Sequence, residues 1–223
     1  MSLLKDQIQT NAQDSKSEPA SDCSLCPRLV DFRNANIAAY PTYFNGAVGS
    51  FGNTDVRLLI IGMAPGLKGA NQTARPFTGD GAGDLLYEQL HKHSLATGIY
   101  DKRRDDGFTL VDTMVTNAVR CVPPENKPNG SEIANCRPFL IARIESLKNL
   151  KVMLTLGKIA HDTTLRTFGL KLKDYPFTHG GIHNLPNGLI MVDSYHCSRY
   201  NVNTRRLTTE MFSNIMVICK DHM

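Results

Sequence analysis

Apolar residues in this chain gather into short continuous runs that alternate with longer, one-sided stretches. The run Arg57-Leu58-Leu59-Ile60-Ile61-Gly62 has no polar face and ends at glycine, which predicts a strand buried on both sides. Val111–Val119, Lys151–Leu156 and Leu189–Asp193 predict three more. Leu85, Leu86 and Leu90 mark one side of a helix from Gly81 to about Leu95. A second helix is expected from roughly Ser131 to Leu150, with Pro138 bending it or delaying its start. A third covers Gly157–Phe168, with Gly169 placed to stop it. Near the C-terminus Leu207, Met211, Ile215 and Ile218 form one helical stripe, and Cys219 continues it into the core.

Strands alternating with helices place the chain in the α/β class, with a parallel four-stranded sheet covered on both faces. Ligands of such sheets bind beyond the carboxyl ends of the strands, here the loops after Ile61, Val119, Leu156 and Asp193. Residues 1–21 are polar and poor in aromatics, so a flexible tail is expected there, with order from Cys23 and one domain over 22–223.

Composition narrows the partners only slightly. The net charge of +4 is compatible with a polyanion and with many ordinary enzymes. No stretch approaches the ~18 apolar residues of a membrane span. The opening MSLLKDQIQTNAQDSKSEPASD lacks a signal-peptide core and is too acidic for a transit sequence. A reducing, cytoplasmic compartment is therefore expected, where clustered cysteines bind metal more often than they pair.

Cys23 and Cys26 form C-x2-C before Pro27, and Cys121 and Cys136 flank the proline-rich loop Val122–Pro128. Four soft ligands on short, stiff flanks suit zinc or a 4Fe–4S cluster, and spacing alone does not choose. Buried small hydrophobes are the plainer alternative for Cys121 and Cys136. Cys197 is expected to be partly exposed and receives no chemistry.

Four further segments stand in order with these cysteines: Gly62-Met63-Ala64-Pro65-Gly66, Arg75-Pro76-Phe77-Thr78-Gly79-Asp80, Thr116-Asn117-Ala118-Val119-Arg120-Cys121, and Ser194-Tyr195-His196-Cys197-Ser198-Arg199. Together they resemble the motif series of the iron–sulfur uracil-DNA glycosylases, type-5 branch, from Cys23 nearly to the end. The resemblance implies a three-layer α/β/α sandwich and a 4Fe–4S cluster on Cys23, Cys26, Cys121 and Cys136. It also implies double-stranded DNA as partner, with a uracil flipped into a pocket between the motif loops. Extruding the base costs on the order of a few kcal/mol.

Chemistry assigns roles within that resemblance. Cleaving an N-glycosidic bond leaves positive charge on the sugar and negative charge on the base. His196 can donate to the departing base without being charged. Asp80 can orient the water or stabilise the sugar cation, although aspartate before a helix is also an ordinary N-cap. Phe77 offers a stacking face, with a core phenylalanine as the alternative. Asn117 can read the uracil edge or bond backbone at its strand end; it matches the base-reading asparagine of type-4 relatives, where type-5 relatives often have a small residue. Gly62 and Ala64 fall in the pocket loop, and Asn126 is a second polar contact for the base. Met63 departs from branches that carry a carboxylate or amide nearby.

Arg199, Asn201 and Arg205 are candidate DNA contacts, while Arg206 is as readily a solvated charge. Leu207 is read as core rather than a wedge. Lys102-Arg103-Arg104, balanced by Asp101, Asp105 and Asp106, reads as a solvated loop. No lysine is placed for Schiff-base attack, so a monofunctional glycosylase is expected, and a monomer is the default for an enzyme that must wrap a duplex. Two alternatives stand beside it: a non-catalytic four-cysteine zinc module that binds nucleic acid, and a glycosylase preferring hypoxanthine, etheno-adducts or 5-substituted uracils.

Overall fold

The computed structural model describes residues 14–223. In chain order its first half holds α1 (Asp14–Ser17), α2 (Pro27–Ala39), β1 (Leu58–Gly62), α3 (Ala70–Thr73), α4 (Gly81–Lys92), β2 (Ala96–Thr97), β3 (Thr109–Leu110) and β4 (Thr113–Asn117). Then come α5 (Gly130–Ser146), β5 (Val152–Leu156), α6 (Lys158–Thr167), β6 (Ile182–Asn184), β7 (Ile190–Ser194), α7 (Arg199–Asn203) and α8 (Thr209–Asp221).

The four expected strands are β4, β1, β5 and β7, adjacent in that order and parallel to one another. The residues of β1, β4 and β5 are all buried, as their continuous apolar runs require. A fifth strand, β6, pairs antiparallel along the outer edge of β7. Three residues of mixed burial carry no strand signal, so β6 escaped the sequence pattern. One core packs Leu58, Ile60, Leu154 and Val192 against α4 and α8. The other packs Leu59, Ile61, Met153 and Met191 against α5 and α6. Successive side chains point to opposite faces, which gives the three layers.

Several boundaries move for identifiable reasons. The strand expected over Val111–Val119 breaks at Asp112, whose φ is +50° and whose carboxylate binds Arg57. Pro138 does not delay α5, because an Asn129–Glu132 capping box starts that helix at Gly130. On α8 the fully buried face is Phe212, Ile215, Met216 and Cys219, with Met211 and Ile218 of the expected stripe packed at its margin, and Leu207 is buried just before the helix. Gly169 has φ +67° directly after the α6 cap, as expected of a helix stop.

The expected tail over residues 1–21 falls, for residues 1–13, outside the described residues. Its remainder is not a tail. Glu18 lies 2.8 Å from Arg120 and 2.7 Å from Arg143, both buried, and so ties the N-terminal segment to the core. Among the described residues no helix is long and apolar enough to cross a membrane.

Candidate active site

The carboxyl ends of β1, β5 and β7 open onto a cavity of about 890 Å³. Its wall includes Met63 and Ala64 after β1, Asp80 at the start of α4, Asn126, Gly157 after β5, and His196 and Arg199 after β7. Residues distant in sequence meet there because parallel strands direct all their outgoing loops to one edge.

Asp80 is the N-cap of α4 and also lines the cavity. Its Oδ1 accepts the amides of Ala82 and Gly83 at 3.0 Å, capping α4. Its Oδ2 is turned toward Gly66 and Gly69, and a methyl at Gly69 would overlap it. The carboxylate is thus anchored by one oxygen and offers the other to the cavity.

His196 is half-buried, and burial lowers its pKa below 6.5, with the charge of Asp80 opposing that shift. The ring is therefore uncharged at neutral pH and can donate one hydrogen. Phe77 stacks on it at 6.0 Å between centroids and 27° between planes. Asn201 donates its side-chain amide to the His196 carbonyl at 2.8 Å.

Gly62, Phe77 and Asn117 do not line the open cavity but pack against one another. Gly62 and Asn117 are register partners across β1 and β4. A methyl at Gly62 would overlap both Asn117 Oδ1 and the edge of the Phe77 ring. Asn117 is 2% exposed, and its Oδ1 has no hydrogen-bond partner among the described residues. Phe77 is 6% exposed with φ +55°, so it is a core residue and a loop residue at once.

That conformation is held from outside the motif. Arg75 is bidentate to Asp106 at 2.8 and 2.7 Å, beneath the rings of Phe51, Tyr87, Tyr100 and Phe108. Burial alone would raise the Asp106 carboxyl, but Arg75 and the amides of Phe108 and Asp101 hold it well below the usual range. Asp106 is thus a buried partner and not part of a solvated loop, an outcome its run of neighbouring charges concealed. Tyr87 donates to the Pro76 carbonyl, and burial pushes the Tyr100 hydroxyl beside Phe77 up to about 12.

Arg199 lines the cavity and reaches over Gly81, while Arg205 is exposed with φ +57°. Arg206 lies 4.7 Å from the Tyr195 ring. The sequence reading passed over Lys68 and Lys158, which stand on the cavity wall, the latter paired with Asp162 at 2.7 Å. It also passed over Tyr200, 73% exposed beside Arg199.

Cys23, Cys26, Cys121 and Cys136 share one cluster with Leu29, Ala47 and Val119, and Ala64 of the cavity wall packs against it. Burial, with Cys136 and Cys23 nearby, pushes the Cys121 thiol up to about 12. Beside this cluster, Nε and Nη2 of buried Arg120 have no hydrogen-bond partner among the described residues. Glu125 and Asn126 sit at φ +56° and +55°, a conformation unusual for either, in the loop that carries Asn126 to the cavity. Cys197 is fully buried rather than partly exposed, because it turns into the core between His196 and α7.

A profile of the Uracil DNA glycosylase superfamily matches residues 50–217, which includes Asp80, Asn117 and His196. The chain belongs to the uracil-DNA glycosylase superfamily. Its relatives include the Type-5 uracil-DNA glycosylase of Thermus thermophilus, 39% identical over 203 residues, 89% of this chain and 92% of that one. The Type-5 enzyme of Pyrobaculum aerophilum is 33% identical, covering 87% and 86% of the two chains. That of Mycobacterium leprae is 36% identical, covering 87% and 89%. The chain is therefore a hydrolase of the class acting on N-glycosyl bonds.

Proposed function

We propose that this chain excises uracil from DNA by hydrolysing the N-glycosidic bond and leaves the abasic site intact. The observation that carries this is the convergence of Asp80 and His196 on one cavity. As the bond breaks, His196 donates a hydrogen bond to the departing uracil anion. Oδ2 of Asp80 faces the sugar, where it orients the attacking water and stabilises the cation. Phe77, stacked on the His196 ring, backs the wall against which the extruded base rests. The unpartnered Oδ1 of Asn117 accepts N3–H of uracil, a hydrogen that cytosine lacks at that position, so the wrong base leaves a buried acceptor unpaired. Gly62 and Ala64 shape the pocket, and Asn126 adds a polar contact from the opposite loop. Arg199 and Arg205 face phosphates, and Asn201 serves by holding the His196 backbone.

Apolar Met63 on the wall also supports acceptance of hypoxanthine and other modified bases, since it sets no charge requirement there. Excision from duplexes holding uracil, hypoxanthine or ethenocytosine, by wild type, Asp80→Asn and His196→Ala, tests both statements. A wild-type single-turnover rate for Asp80→Asn removes that residue from the mechanism. Strand breakage without alkali would place Lys68 or Lys158 in a lyase reaction instead.

The four cysteines are proposed to hold a 4Fe–4S cluster that orders the Pro123–Pro128 loop against duplex DNA. Beside them Arg120 Nε and Nη2 have no hydrogen-bond partner among the described residues, which supports an anionic thiolate-bound group there. Protein purified without oxygen should be brown, whereas a colourless, zinc-loaded protein would reject the cluster. A monomer in the cytoplasm is consistent with the free cysteines.

A further inference from the structure

Three residues before His196, Asp193 is fully buried near the end of β7. Its carboxylate gathers groups from three other elements. Oδ1 takes the Thr155 hydroxyl of β5 at 2.6 Å and faces Nδ1 of His161 on α6 at 2.8 Å. Oδ2 faces Nε2 of His183 on β6 at 2.9 Å.

The His161 ring stands between two acceptors, its Nε2 2.9 Å from the Tyr175 carbonyl and its Nδ1 on the carboxylate, and so links Asp193 to the loop before β6.

The same elements grip the backbone leading to His196. Asp193 exchanges backbone hydrogen bonds with Gly180 and Gly181 at 2.8 and 2.9 Å. Gly157, just before α6, donates to the Ser194 carbonyl at 2.8 Å. The Tyr195 amide donates to Nδ1 of His179 at 3.2 Å, and burial lowers the His179 pKa, which keeps that nitrogen able to accept. His179 and His183 lie on one short stretch, so it holds both Asp193 and Tyr195.

We propose that Asp193, with Thr155, His161 and His183, positions His196 by fixing where and at what rotation β7 ends. The inference rests on the role of His196 proposed above. Asp193 is not on the cavity wall, so it acts through the histidine and not on substrate. Three directed bonds to one carboxylate fix orientation as well as distance, which an apolar residue of equal volume would not do.

Single-turnover excision and duplex affinity test this for wild type, Asp193→Asn, His183→Ala, His183→Gln, His196→Ala and the pairs with His196→Ala. Asp193→Asn should slow the chemical step about tenfold to a hundredfold, with duplex affinity held within about twofold. His183→Ala should slow it less, and His183→Gln should restore part of the rate by supplying a donor to Oδ2. In the His196→Ala background neither change should matter, because the group being positioned is gone. If Asp193→Asn does not fold, the His183 series decides alone. Losses that simply multiply with His196→Ala, or wild-type rates for Asp193→Asn and His183→Ala beside a slow His196→Ala, overturn the inference. A wild-type rate for His196→Ala overturns the underlying assignment instead.

Discussion

The two walls of the cleft hold their reactive groups in different ways. The acid wall comes largely from one stretch of chain, Gly62 to Asp80, in which Phe77 folds back onto Gly62, with Asn117 of β4 packed beside them. The buried Arg75–Asp106 pair and the Tyr87 hydroxyl on the Pro76 carbonyl hold it. The imidazole wall is a lone histidine on a strand end, braced from β5, β6, α6 and α7 through Thr155, His183, His161 and Asn201. A locally built wall is legible as a motif. A wall braced from afar shows in sequence only its reactive residue.

The comparison can be tested by changes that should affect one wall and spare the other. The largest effect is expected for Asp80→Asn, with single-turnover excision falling about 10²–10⁴-fold. Its stability should stay within about 0.5 kcal/mol by urea unfolding, since asparagine caps as well as aspartate. Next comes Asp106→Asn, which leaves the Arg75 guanidinium buried without its counter-charge and should cost about 3–5 kcal/mol of stability. Replacing both partners by apolar residues should recover most of that loss, because the penalty belongs to the orphaned charge. Gly62→Ala should cost about 1–3 kcal/mol through overlap with Phe77 and Asn117, and should weaken uracil binding, as seen with a duplex holding a non-cleavable analogue.

The smallest effect belongs to the imidazole wall and is driven by pH. His179 and His196 have folded pKa values lowered from 6.5, so the unfolded chain takes up protons first as pH falls. Their contribution to stability is full above about 6.5 and is lost below it, down to the folded values. Melting temperature should therefore decline across that window, and less steeply in His179→Gln. An unchanged slope in that variant would remove His179 from the brace.

The apolar runs of β1, β4, β5 and β7 and the glycine stop after α6 were legible because burial on both faces writes itself into consecutive residues. β6 was not, because an edge strand of three residues needs no apolar run when a neighbour supplies its ladder. Asp106 was hidden among compensating charges, and Glu18 looked like part of a polar tail. In both cases an arginine distant in sequence decides that the carboxylate is buried.

By itself, then, the sequence determined the layered α/β architecture, the ordered motifs and the residue types able to break a glycosidic bond. Those follow from local periodicity and side-chain chemistry, which do not depend on where the rest of the chain lies. Only the tertiary structure decided which oxygen of Asp80 is left for chemistry, that Cys197 is sealed in the core, and that Asp193 stands behind His196. Each of these depends on a partner far away along the chain, and a donor and an acceptor brought together by packing leave no periodic trace in sequence.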